Sequence, residues 1–240
     1  ALVKDPDIII HLASSLPALA DMKRGLAEII DYDGTENIIR AISYYNPKCH
    51  LFYASTTSMY KTKDKPTVKS RIELDEFDYF SKAKYKTEVL IKEKLKNYTI
   101  YRIPLVLSNP LKEPFMYHVN KNDLIDVVTK EDAAYAFVKG IKYINELNRK
   151  TFNVIGEESI LARDLYNKML EINGLSCKYV FSRIFLEKNY YSPVCGDRDE
   201  LNEIINYRND SLAEYYNRLR SRAKNRNIAR LLAKPFIKKK

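Results

Sequence analysis

Three short stretches of the chain carry residue types that could do acid–base work, and a fourth could border them. YASTTSMY (53–60) brings Thr56, and DYFSKAKYKTE (78–88) sets Lys84 four residues after Phe80 and Lys82 three after Tyr79. DIIIHLAS (7–14) carries His11, Leu12 and Ala13, and RIPL (102–105) holds Pro104 and Leu105. A phenol titrates at about 10, so a neighbouring ammonium must favour its anion before it exchanges protons near neutrality. Residues three or four apart share a helix face. Two registers follow: Phe80 with Lys84 and then Glu88, or Tyr79 with Lys82. Only the second offers a phenolic proton. Thr56 could hold a reacting oxygen, or merely cap the turn after it. Lys84 could equally belong to a solvated lysine face with Lys82, Lys86, Lys92 and Lys94. His11 follows an apolar strand and reads either as a core histidine or as a ligand neighbour.

The elements that must position these groups alternate between strand and helix. DIIIHLAS and HLFYAS (50–55) have the length and branching of buried strands. GTENIIRAISYY (34–45) has helical spacing and ends at Asn46-Pro47. Residues 81–96 read as a helix, and 98–107 as a strand in which Pro104 stops the pairing. LIDVV (124–128) is a strand, after which Thr129 to Asp132 resembles a capping box. TFNVIG (151–156) is a strand, 161–173 a helix stopped by Gly174, and 178–182 a strand candidate. Residues 198–206 and 211–226 are helical, the latter with Leu212, Tyr215, Tyr216 and Leu219 on one stripe. Near-continuous apolar strands alternating with helices imply an α/β fold with a parallel sheet covered on both faces. Ligands in such sheets sit at the carboxyl ends of the strands, which is where three of the four stretches fall, with the start of the 81–96 helix as the fourth.

Composition narrows the class. The sequence has 240 residues, 45% hydrophobic and 30% charged, as ordinary globular chains do. No run approaches the roughly 18 apolar residues a membrane-spanning helix needs. Cys49, Cys177 and Cys195 lie far apart, so neither a disulfide framework nor a zinc site is expected, and a cytoplasmic setting fits. Six glycines, none spaced to cradle a phosphate, give no phosphate-binding loop. The net charge of +10 sits in one place: residues 1–214 hold 31 acidic and 31 basic residues, and 215–240 hold ten basic and no acidic ones. A nucleic-acid surface would be more distributed. The tail interleaves cations with Leu219, Ile228, Leu231, Leu232, Phe236 and Ile237. It reads as an arm for an anionic membrane surface or as a solvated helix end that aids solubility.

Six of these segments, in order, resemble the extended short-chain dehydrogenase/reductase family of nucleotide-sugar epimerases and dehydratases. DIIIHLAS is similar to the family's D-x-x-x-H-L-A, DYDGTENIIRAI to N-x-x-G-T-x-N-x-x-x-A, and YASTTSMY to S-[ST]-x-x-x-Y. FSKAKYKTE sits at Y-x-x-x-K-x-x-x-E. NKNDLIDVVTKEDAAYAF is similar to I-D-x-V-x-V-x-D-x-A, and TFNVIGEESILARDLYNKM to the Y-N-[VI]-G-x-G stretch. The resemblance implies a Rossmann-like doubly wound core over 1–150, a small substrate-side lobe over 151–216 and the basic tail over 217–240. It implies NAD or NADP as cofactor, a nucleotide sugar as substrate, and a homodimer through helices 34–45 and 81–96. Thr56 and Lys84 would be catalytic; His11, Leu12, Ala13, Lys84 and Pro104 would border the dinucleotide.

The departures are specific. Phe80 stands at the family's tyrosine, with Tyr79 available only in the shifted register. Asp31 stands where asparagine is usual, and Leu105 at the asparagine that contacts the nucleotide sugar. His118 reads as a substrate-pocket or a structural loop residue. In the family a first strand and its glycine-rich turn precede the HLA strand by roughly 60 residues; here six residues precede DIIIHLAS. Either the sequence begins inside the domain or the pyrophosphate grip is missing. Two functions remain open on sequence: an NAD(P)-dependent epimerase, dehydratase or reductase, and a non-catalytic descendant that binds a nucleotide or a partner.

Overall fold

The computed structural model describes residues 5–15, 17, 20, 23, 25–60, 64–76, 78–107, 119–174 and 193–224. His118, the strand candidate at 178–182 and the tail beyond 224 lie outside them.

Four parallel strands make the main sheet in the order β1 (Ile8–His11), β2 (His50–Thr56), β3 (Tyr98–Ile103) and β6 (Lys150–Asn153). The registers pair His11 with Tyr53, Thr56 with Ile103 and Arg102 with Asn153, so their carboxyl ends lie side by side. Pro104 separates β3 from β4 (Leu105–Leu107), which leaves for a second sheet with β5 (Leu124–Thr129) and β7 (Ser159–Leu161). Proline has no N–H for the ladder, which is why pairing changes partner there.

Helix α1 (Gly34–Tyr45) buries Thr35, Ile39 and Ile42 and stops at Asn46. A π-helical turn over Glu28–Asp33, which the sequence reading did not anticipate, leads into it and carries Asp31 inward. Such turns are rare and often mark functional positions. Helix α2 (Tyr79–Lys94) starts where the Asp78 carboxylate accepts the Ser81 N–H at 2.8 Å. Its buried face is largely polar: Ser81, Lys84, Thr87 and Glu88 lie inside beside Phe80, Ala83, Leu90 and Ile91. Helix α3 (Lys130–Gly140) is capped by Thr129, whose hydroxyl accepts the Asp132 N–H at 3.2 Å. After α3 the chain passes through a 3₁₀ turn over Ile141–Tyr143 into the short α4 (Ile144–Leu147). Helix α5 (Ala162–Ile172) ends before Gly174, whose φ of 73° suits glycine. Helices α6 (Glu200–Ile205) and α7 (Leu212–Lys224) follow.

Two boundaries differ from the sequence reading. Residues 151–153 belong to the main sheet through β6, and the second sheet draws strands from both sides of them. The stripe on α7 is buried, but the helix keeps packing past Tyr216. Leu219 lies in one cluster with Leu107, Leu165 and Tyr215, and Ala223 packs against it. Arg218 pairs with Asp210 and Glu131. Leucine at 219 continues the apolar face, so the core claims one more turn than charge counting suggests.

Candidate functional site

The carboxyl end of β2 carries a chain of hydroxyls. The Thr56 and Ser58 hydroxyls are 2.8 Å apart, and those of Ser58 and Ser81 are 2.7 Å apart. The Ser58 N–H donates to the Thr56 hydroxyl at 3.1 Å, so Thr56 caps the turn over Thr57–Met59. The capping role and the site position thus coexist in one residue. All three hydroxyls are buried, and the neighbouring Thr57 hydroxyl is buried with no hydrogen-bond partner.

One turn along α2, the Lys84 ammonium donates to the Ala54 carbonyl at 2.8 Å and meets Asp31 Oδ1 at 3.0 Å. Both side chains are sealed, at 3% and 0% exposure, so Lys84 does not belong to a solvated face. Asp31 also accepts the Ser14 hydroxyl (2.6 Å) and the Ser15 hydroxyl and N–H (2.7 and 3.1 Å). Burial holds the Lys84 ammonium below its ordinary value, and Asp31 opposes that. The ammonium lies 4.8 Å from the Tyr53 ring centroid and 5.9 Å from that of Phe80.

Phe80 itself is buried with Ala20, Ala27 and Ala83. In the other register, Lys82 donates to the Glu76 carbonyl at 2.7 Å in an exposed setting. Tyr79 is half-buried at the helix start. His11 is buried, and its Nε2 lies 2.9 Å from the Thr35 hydroxyl. Burial and the Lys84 charge push its imidazole down to about 4, with Asp31 pulling the other way. Leu12 is 58% exposed and Ala13 is exposed, at the open end of β1. Pro104 is buried between sheets, and Leu105 packs into the core of the second sheet. The structure therefore gathers His11, Asp31, Thr56, Phe80 and Lys84 at neighbouring strand ends, and puts Leu105 in a core.

Sequence reasoning missed the support behind these groups. Glu88 accepts Arg102 Nε at 2.8 Å and Nη2 at 2.7 Å, and the Ser55 hydroxyl at 2.7 Å. Arg102 Nη1 donates to the Tyr60 hydroxyl (3.0 Å), which donates to Asn153 Oδ1 (2.7 Å). Asn153 then donates to Asp197 at 2.6 Å. The network ties together the ends of β2, β3 and β6. An arginine inside YTIYRI was the available signal, since a buried strand carries a charge only when that charge is paired. Among the described residues, no cluster of His, Cys, Asp or Glu could hold a metal, and no helix is long and apolar enough to cross a membrane.

No family model and no curated protein matches the sequence. Solved structures do match its fold. RMD from Pseudomonas aeruginosa, complexed with NADPH, is 14% identical with a TM-score of 0.74, over 94% of this chain and 84% of that one. DesIV from Streptomyces venezuelae, a dTDP-glucose 4,6-dehydratase with NAD and TYD bound, is 15% identical at 0.74, over 92% and 74%. The UDP-glucuronic acid 4-epimerase from Bacillus cereus, with UDP-glucuronic acid and NAD, is 15% identical at 0.72, over 93% and 77%. A tyrosine-to-phenylalanine mutant of that epimerase is also similar, at 17% identity and 0.73, over 93% and 77%; it was solved with NAD and a fluorinated UDP-sugar. By its parallel sheet, its helices and these likenesses, the chain has a Rossmann-like α/β fold similar to that of these NAD(P)-bound proteins.

Proposed function

We propose that the chain is an NAD(P)-dependent epimerase/dehydratase-like protein that takes a nucleotide sugar at the carboxyl ends of β1, β2 and β3. The observation that carries this reading is that helix α2 brings Lys84 to the Ala54 carbonyl and Ser81 to the hydroxyl chain of Thr56, both at the carboxyl end of β2. The described residues offer contacts for part of an NAD(P)-type dinucleotide, and a glycine-rich phosphate turn is not among them. Lys84 donates to Ala54 and Asp31 beside the end of β2. Leu12 and Ala13 are open at the end of β1, and Thr57 has an unpartnered hydroxyl beside Thr56. When bound, the nicotinamide would supply hydride acceptance or donation. The chain's own part is to hold ligand oxygens. In one of the donor orders that the hydroxyl distances allow, Ser81 donates to Ser58 and Ser58 to Thr56, which leaves the Thr56 proton for a sugar oxygen. Phe80 has no proton to exchange, so any turnover runs without a phenol at that place. Helices α1 and α2, with exposed Tyr44 and Tyr45, belong to the proposal as the face for a second copy.

A second reading, a non-catalytic binder, is favoured by Phe80 together with the Lys84–Asp31 pair. The epimerase mutant with phenylalanine for a tyrosine still holds both of its ligands, so a change of that kind is compatible with binding. Titration calorimetry with NAD, NADH, NADP, NADPH, UDP-glucose and dTDP-glucose tests both readings, with product analysis by NMR. Turnover supports the enzyme, and binding without turnover supports the binder. Loss of neither dinucleotide nor sugar affinity in Lys84→Met or Thr56→Val would overturn the site.

A further inference from the structure

The Lys84–Asp31 pair changes what the lysine can do. An ammonium within about 4–6 Å of an acid lowers its pKa, and a carboxylate at similar range raises it. Here the two charges lie 3.0 Å apart and are sealed together, so a ring 5.9 Å from the ammonium faces an ion pair and not a bare cation. Asp31 is held in place by Ser14 and Ser15 immediately after β1, so it cannot swing away without moving that segment.

We infer that Asp31 neutralises Lys84, making it a fixed structural cation that does not activate a proton-exchanging group at position 80. This rests on the reading above that Phe80 occupies the phenol's place. Two groups beside the pair feel its carboxylate. His11 feels Lys84 and Asp31 in opposite directions. The Tyr53 ring lies nearer the ammonium than Phe80 does, yet its phenol stays well above the usual range, raised by burial and then by Asp31. The other charged groups packed against this corner have partners of their own, although Glu88 also acts on Lys84 and on the Tyr53 phenol. Glu88 binds Arg102 and Lys92, Lys82 turns to Glu76, and Lys86 pairs with Glu28. Restoring the phenol alone would therefore not restore the acid–base group.

The test needs neither cofactor nor sugar, so failure to bind either one leaves it standing. Phe80→Tyr introduces one phenol, whose titration is followed by ultraviolet difference spectra against the parent and by labelled-tyrosine NMR. The expected value is at or above the ordinary figure of about 10. Adding Asp31→Asn should then strengthen the phenol as an acid by tenfold or more. Asp31→Asn leaves a buried ammonium unpaired and can cost folding. A second variant, Phe80→Tyr with Asp31→Asn and Lys84→Gln, removes both charges and should titrate with Phe80→Tyr alone. A phenol well below 10 in Phe80→Tyr would overturn the inference. So would one that weakens tenfold when both charges are removed, because either result means that Lys84 still acts.

Discussion

Replacing Arg102 by methionine should be among the most damaging single changes in the main sheet. The guanidinium makes two charge-assisted bonds to Glu88 and one bond to Tyr60, with 3% of the Arg102 side chain and none of that of Glu88 exposed. Methionine keeps most of the apolar stem but leaves Glu88 with only the Ser55 hydroxyl and Lys92, at 2.7 and 3.3 Å. Breaking one side of a buried pair costs about 3–5 kcal/mol, because the remaining charge is stranded. For a chain of this size that is roughly 6–20 °C in Tm. The exposed Glu36–Arg40 pair on α1 is the control, expected to cost at most about 0.5 kcal/mol when cut. The pH dependence has a definite sign. Arg102, Lys92 and Ser55 hold the Glu88 carboxyl below its ordinary value against burial. Its stabilising contribution is therefore complete above the unfolded pKa and is lost as pH falls through the lower folded value. Urea unfolding of parent, Arg102→Met, Glu88→Leu and the double variant, at neutral and acid pH, measures the coupling. A loss under about 1 kcal/mol for Arg102→Met, or a double variant as damaged as the sum of the singles, would refute the reasoning.

Further outcomes are expected. Thr56→Val removes the cap on the Ser58 N–H and one end of the hydroxyl chain; chemical unfolding should show a cost of about 1 kcal/mol. Leu219→Ala should cost about 2–3 kcal/mol because the side chain lies in the second core, whereas deleting 225–240 should leave the melting temperature unchanged. That same deletion removes six basic residues. At roughly 1 kcal/mol each near an anionic bilayer, it should abolish salt-sensitive co-sedimentation with phosphatidylserine vesicles. His11 and His50 are both held down to about 4 in the fold, mainly by burial. The unfolded chain takes up these protons first, so stability should fall as pH drops from about 6.5 toward 4. Denaturant midpoints across that range should show the loss weaken in a His50→Gln variant.

Local patterns in the sequence determined the strands, the helices and their alternation. Apolar runs of strand length, Asn46-Pro47, Gly174 and the Thr129 cap act within a few residues, so they are legible without a fold. The resemblance of six ordered segments located the strand ends, and parallel pairing brought them together as expected. Charge counting found the basic tail, but not the turn of α7 beyond Tyr216 that the core claims.

What tertiary structure alone decided is which charges are inside. Lys82, Lys84, Lys86, Lys92 and Lys94 look alike along α2, yet only Lys84 among them is buried. Its partner Asp31 lies 53 residues earlier, and only the fold brings a π-helical turn against α2. Glu88 and Arg102 likewise meet across a helix and a strand, and Ser58 reaches Ser81 over 23 residues. A buried charge is tolerable only with a partner within a few ångströms. That condition is set in space, so no pattern along the chain reveals it.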